Sequence, residues 1–218
     1  HSCQICGQEP AVPGSGFVGA RCRQDLAWLP EATLESRPRE LTANASSSPP
    51  RSCDFVRSGL WNQGSPMNAL KAYKYERARH FEPFLAQLVE EWLQRAPVGG
   101  TWTALIPAPI SRRRRRERGF NQATELAKSA QKVLQIPIWD NILQRRHTRP
   151  QAGLDRLERS QNLRGALAVN PRGVDPIGGA FLLFDDVLTT GASLNACAHA
   201  LFEAGAHRVG SLIFLRER

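Results

Sequence analysis

Residues 181–193 read FLLFDDVLTTGAS. Four apolar residues, Phe181, Leu182, Leu183 and Phe184, stop at two carboxylates, Asp185 and Asp186. A short run that is apolar at every position, not at alternate ones, suits a strand buried on both faces of a parallel sheet. After Val187 and Leu188 come Thr189, Thr190, Gly191, Ala192 and Ser193, a loop of small and hydroxyl-bearing side chains. It leads into residues 192–198, which have helical propensity. Strand, tight loop and helix start in that order present backbone N–H groups and a positive dipole end to an anion, most often a phosphate.

Working outward, residues 101–109 (TWTALIPAP) and 209–215 (VGSLIFL) read as further buried strands, and residues 55–61 and 165–169 as two more. Between them lie helical stripes. Ser65 and Pro66 suggest an N-cap followed by Pro at the first helical position, with apolar spacing through Leu70 and Tyr73 to Arg77. Phe84, Leu85, Leu88, Val89, Trp92 and Leu93 form a second stripe; Phe120, Ala123, Leu126, Ala127 and Ala130 form a third. Lys71 and Lys74 could face a ligand, but solvated lysines on the first of these helices are the plainer reading. Strands alternating with helices predict an α/β fold, a right-handed, twisted parallel sheet flanked by helices.

The 218 residues suffice for one domain with an appendage, and 41% hydrophobic with 22% charged content is ordinary for a globular chain. No apolar run approaches the length of a membrane span and no signal-peptide pattern is visible, so the expectation is a cytoplasmic protein without membrane insertion. The net charge of +9 points to an anionic partner, a nucleic acid or a polyphosphate. Much of it is local: residues 112–118, RRRRRER, place six arginines in seven positions just after a strand, followed by Gly119, Phe120, Asn121 and Gln122. Guanidinium forks match phosphate oxygens. Arg112, Arg116, Arg118, Gly119 and Asn121 therefore form a candidate basic loop for pyrophosphate or a nucleic-acid backbone, set against the plainer reading of a solvent-exposed charged loop. Residues 144–164 are polar and basic, and read as a mobile excursion able to close over a site.

The N-terminal segment, residues 1–29, opens with Cys3, Cys6 and Gly7, a C-x-x-C-G knuckle of the kind that aims two thiolates at a tetrahedral Zn²⁺. Only Cys22 stands where a second knuckle would be. The remaining ligand is Cys53, or Asp25, or there is none. Residues 30–52 are rich in Pro and Ser and read as a flexible linker, leaving residues 53–218 as the main domain.

The 181–193 stretch resembles the phosphoribosyl-pyrophosphate (PRPP) signature of type I phosphoribosyltransferases. The resemblance implies that Asp185 and Asp186 take the ribose 2′ and 3′ hydroxyls, and that residues 187–193 wrap the 5′-phosphate. Over its whole length the chain resembles the ComF/GntX family of phosphoribosyltransferase-like competence proteins. That likeness rests on the N-terminal knuckle, the lysine- and tyrosine-bearing residues 69–75, residues 106–109 with 118–122, and a Q-x-x-L-x4-R-x-x-N pattern at Gln151, Leu154, Arg159 and Asn162. It implies a type I phosphoribosyltransferase fold, a lid containing Gln151, Arg159 and Asn162, Mg²⁺ carried with PRPP, and a part in DNA uptake during natural transformation. The family usually carries a second C-x-x-C; here Gly19 stands where its first cysteine is expected. In purine-salvage relatives an Asp at the position of Thr189 serves as general base, a task that a threonine hydroxyl cannot perform at neutral pH.

Three functions compete. The first is Mg²⁺-dependent displacement of pyrophosphate from PRPP by an acceptor the sequence does not identify. The second is non-catalytic binding of single-stranded DNA along the basic run. The third is a scaffold whose knuckle docks another DNA-uptake protein.

Overall fold

The structure is a computed structural model and describes residues 1–14, 17–30, 52–145, 167–170 and 175–217, together with the backbone of residues 34–35. After helix α1 (Ala20–Gln24) and the short β1 (Leu34–Glu35) come β2 (Phe55–Trp61), α2 (Gly64–Tyr75), α3 (Glu82–Arg95) and β3 (Ala104–Pro107). They are followed by α4 (Arg112–Arg118), α5 (Gln122–Leu134), β4 (Leu143–Arg145), β5 (Leu167–Val169), β6 (Ala180–Leu188), α6 (Ala192–Glu203) and β7 (Arg208–Arg216). The main sheet has the order β1-β2-β7-β6-β3; every pair in it is parallel except β1 with β2. The expected parallel sheet flanked by helices is therefore present, with β6 and β7 at its centre.

The unbroken apolar run of β6 is explained by what lies on either side. Leu182 and Phe184 pack, with Leu212 and Phe214 of β7, against α2, α3 and α5. Phe181 and Leu183 face the opposite way, toward α6 and the β4–β5 pair. All four are fully buried, as a strand covered on both faces requires. Among the described residues no helix is long and apolar enough to cross a membrane.

Three local expectations are corrected. The arginine run is not a loop but helix α4, capped by the Ser111 side chain, which accepts a hydrogen bond from the Arg114 N–H at 3.2 Å. Arginine is a good helix former, Arg113 and Glu117 form an i,i+4 ion pair at 2.7 Å, and Gly119 at φ 84° ends the helix in the left-handed region. Ser65 is not an N-cap: Gln63 holds that position and Ser65 sits buried inside the first turn of α2. That helix also stops at Tyr75, short of Arg77. Finally, Gln144 and Arg145, read as the start of an excursion, pair antiparallel with β5. The rest of the proposed lid, Gln151, Arg159 and Asn162, lies outside the described residues, as does most of the 30–52 linker.

Candidate functional site

Strand β6 outruns its neighbour. It pairs with β3 only from Phe181 to Phe184, while its pairing with β7 continues to Leu188. Asp185 and Asp186 thus stand just beyond the end of β3, where the sheet opens on one side. A cavity of about 600 Å³ begins there. Its walls come from residues that follow the carboxyl ends of the parallel strands: Asn62 after β2, residues 108–111 after β3, residues 185–191 of β6 and its loop, and Glu217 after β7. Ligands of open α/β sheets bind at this end, outside the strand termini.

On the floor, Asp186 is 4% exposed. Its Oδ2 lies 2.8 Å from the Lys74 ammonium, which is itself 11% exposed. The pair is ionic without being well aligned, since that oxygen has no hydrogen-bond partner of acceptable geometry. Asp185 turns back on its own backbone, where Oδ1 accepts the Asp186 N–H at 2.8 Å. Burial, and then the adjacent Asp186 carboxylate, push the Asp185 carboxyl up to about 7. Residues 187–193 line one wall together. Gly191 adopts φ 70° as the residue before α6, a left-handed conformation that glycine tolerates without strain, and the Thr190 hydroxyl accepts the Ala192 N–H at 3.5 Å.

The opposite wall is basic and aromatic. Arg118 faces the cavity with its guanidinium 4.9 Å from the Tyr75 ring centroid, and donates to Gln122 Oε1 at 2.7 Å. Arg114, Lys71 and Lys74 line it too. Arg112, Arg116, Gly119 and Asn121 are not on the lining; Asn121 instead caps α5 through the Ala123 N–H and donates to the Ala108 carbonyl at 3.0 Å, tying α5 to the end of β3.

Near the N-terminus, Cys3, Cys6, Glu9 and Cys22 bring one ligand atom each to within 4.8 Å of one another. A tetrahedral Zn²⁺ with Zn–S of about 2.3 Å holds its ligands roughly 3.8 Å apart, so a small contraction closes the shell. Three thiols and a carboxylate fit that ion. Burial disfavours a Cys3 thiolate, but backbone N–H groups of Cys6, Gly19 and Ile5 outweigh it and bring the thiol down to about 7. Burial pushes Cys22 up to about 12; a hydrogen bond with Ser65 opposes the rise, while Cys6 and Cys3 add to it. Cys53 is not among these ligands. It is buried against the sheet, its Sγ 2.8 Å from Ser211 Oγ.

No protein-family model matches the chain. Competence protein F of Haemophilus influenzae is 36% identical over 107 residues, 49% of this chain and 47% of that protein. Competence protein ComFC of Bacillus subtilis is 34% identical over 113 residues, 51% of this chain and 44% of that protein. Over about half its length the chain is thus similar to two competence proteins, F and ComFC. It spans about half the length of the curated ComF relatives it matches. An allosteric regulatory enzyme of purine biosynthesis (18% identity, 59% of this chain and 25% of that one, TM-score 0.40) and the B. subtilis glutamine PRPP amidotransferase (19%, the same coverages, 0.38) overlay only loosely.

Two features of this chain escape the sequence reading. Lys74, expected in solvent, is the buried partner of Asp186. The signal was there: Lys74 follows Leu70 by four residues and so shares the buried side of α2. Glu9 left no such mark, because only the folded chain brings it to the cysteines.

Proposed function

We propose that the cavity binds PRPP with Mg²⁺ and that the protein transfers the phosphoribosyl group to an acceptor with release of pyrophosphate. The observation that carries this reading is the meeting, in one cavity, of the strand-end carboxylates, the small-residue loop before α6 and the guanidinium of Arg118. Asp185 and Asp186 accept hydrogen bonds from the ribose 2′ and 3′ hydroxyls, and their charge favours positive charge developing at the ribose C1. Residues 187–193 hold the 5′-phosphate through hydroxyls and backbone N–H groups. Arg118 faces the departing pyrophosphate and stabilises its charge. Mg²⁺, carried mainly on ribose and pyrophosphate oxygens, supplies further charge neutralisation. Thr189 provides no base, so the acceptor sheds its proton by another route.

Calorimetry with PRPP and Mg²⁺ tests this. Binding is expected for the native chain, with a loss on the order of 100-fold or more in Asp185→Ala/Asp186→Ala, two charge-bearing contacts being removed. Unchanged heats in the double variant would sink the site assignment. Pyrophosphate release screened across bases and amines then seeks the acceptor.

A second reading, single-stranded DNA binding in the service of DNA uptake, is favoured by a separate observation: Arg112, Arg113, Arg115 and Arg116 of α4 are all exposed, beside Tyr75 at 70% exposure. Exposed cations next to an aromatic ring suit a phosphate backbone with stacked bases. The competence role of the relatives is consistent with either reading.

A further inference from the structure

Gly19 occupies the place where a second knuckle would supply its first cysteine. A β-carbon built there would lie 2.4 Å from Cγ, Cδ and Oε1 of Glu9, so the Glu9 side chain already fills the space that a residue-19 side chain needs. Glu9 is held in that space from both ends. Its carbonyl accepts the Cys3 N–H at 2.7 Å, which fixes it to the first knuckle. Its carboxylate oxygens accept the N–H groups of Arg21 at 3.1 Å and Cys22 at 3.2 Å, which fixes them to the first turn of α1. Between those anchors a carboxylate oxygen stands within 4.8 Å of the sulfurs of Cys3, Cys6 and Cys22.

We propose that Glu9 is the fourth ligand of a three-sulfur, one-oxygen Zn²⁺ site, standing in for the cysteine that Gly19 replaces. The exchange conserves charge, since a carboxylate brings the same single negative charge as a thiolate. Zinc accepts either donor in a tetrahedral shell. Gly19 is what makes the substitution fit: with any larger residue there, Glu9 is driven from its place. The carboxylate is also a harder donor than sulfur, so the site binds soft thiophilic ions less strongly than a four-thiolate knuckle does.

The test uses the full chain, stripped of metal and titrated with Co²⁺ and then Zn²⁺. The native chain is expected to bind one ion with the charge-transfer intensity of three thiolates. Glu9→Ala is expected to retain the three-sulfur spectrum and lose affinity by on the order of tenfold or more. Glu9→Gln, which keeps the size of the side chain, guards against misfolding and should lose affinity likewise. Glu9→Ala combined with Gly19→Cys is expected to show a fourth sulfur and to recover native affinity. Three results overturn the proposal: a native chain that binds neither ion, Glu9 variants that bind as tightly as the native chain, or a double variant with neither a fourth sulfur nor recovered affinity.

Discussion

The cysteine cluster and the strand-end cavity are both gatherings of acidic groups, yet the chain treats them in opposite ways. At the cavity, Asp186 has its own counter-ion in Lys74, 2.8 Å away and nearly as buried. At the cluster, three thiols and Glu9 converge, and none of the described ion pairs involves Glu9. One site is neutralised from within. The other has no counter-ion among the described ion pairs and could hold a cation from outside. On the proposed readings the difference follows function: the cluster would take a bare metal ion, and the cavity a ligand that arrives with anionic groups for Arg118 and hydroxyls for the carboxylates.

The sharpest way to break this contrast is to remove the internal counter-ion. Lys74→Met leaves Asp186 buried and unpaired, and should lower stability by about 3–5 kcal/mol in urea unfolding. Lys74→Met with Asp186→Asn should recover most of that loss. A single variant as stable as the native protein would mean that the pair contributes nothing to the fold.

The second test concerns Asp185, which none of the described ion pairs includes. Its carboxyl is raised to about 7 by burial and by Asp186, above its usual value of 3.8. Between those values the folded chain keeps a proton that the unfolded chain has lost. Stability of the ligand-free protein therefore falls as pH rises from about 4 to about 7, by on the order of a few kcal/mol in all. Asp185→Asn should flatten that slope while leaving the titration of the cysteine cluster in place. An equally steep slope in the variant would assign the effect to other groups.

The smallest expected effect lies on the outer face of α4, where four exposed arginines share the single described ion pair of Arg113 with Glu117. Replacing Arg112, Arg113, Arg115 and Arg116 by alanine should make the salt dependence of single-stranded DNA affinity shallower by ~0.7 per lost phosphate contact. A slope identical to that of the native chain removes this helix from any nucleic-acid interface.

The parts of the molecule legible in the sequence are those where one local rule decides. The run 181–184 is apolar at every position because β6 is covered on both faces, and residues 55–61 become β2 with the expected bounds. The DD-x-x-TTG order places the carboxylates and loop on one cavity wall because strand, turn and helix follow each other directly. Where two rules compete, the reading strays. Mutual repulsion argued for a loop at residues 112–118, but the Ser111 cap and arginine's helical propensity prevail because the side chains project into solvent and keep apart. The three-residue strand β4 is too short to carry a period. Glu9 and Lys74 depend on contacts between distant segments, and no spacing rule reports those.

Helix α2 has one more property. Its first turn carries Ser65, hydrogen-bonded to the Cys22 thiol, and its last turn carries Lys74, paired with Asp186. Nine helical steps, about 14 Å, separate the two. One short helix thus touches both the cysteine cluster and the cavity floor, while Ala69, Leu70 and Tyr73 between them hold it in the core.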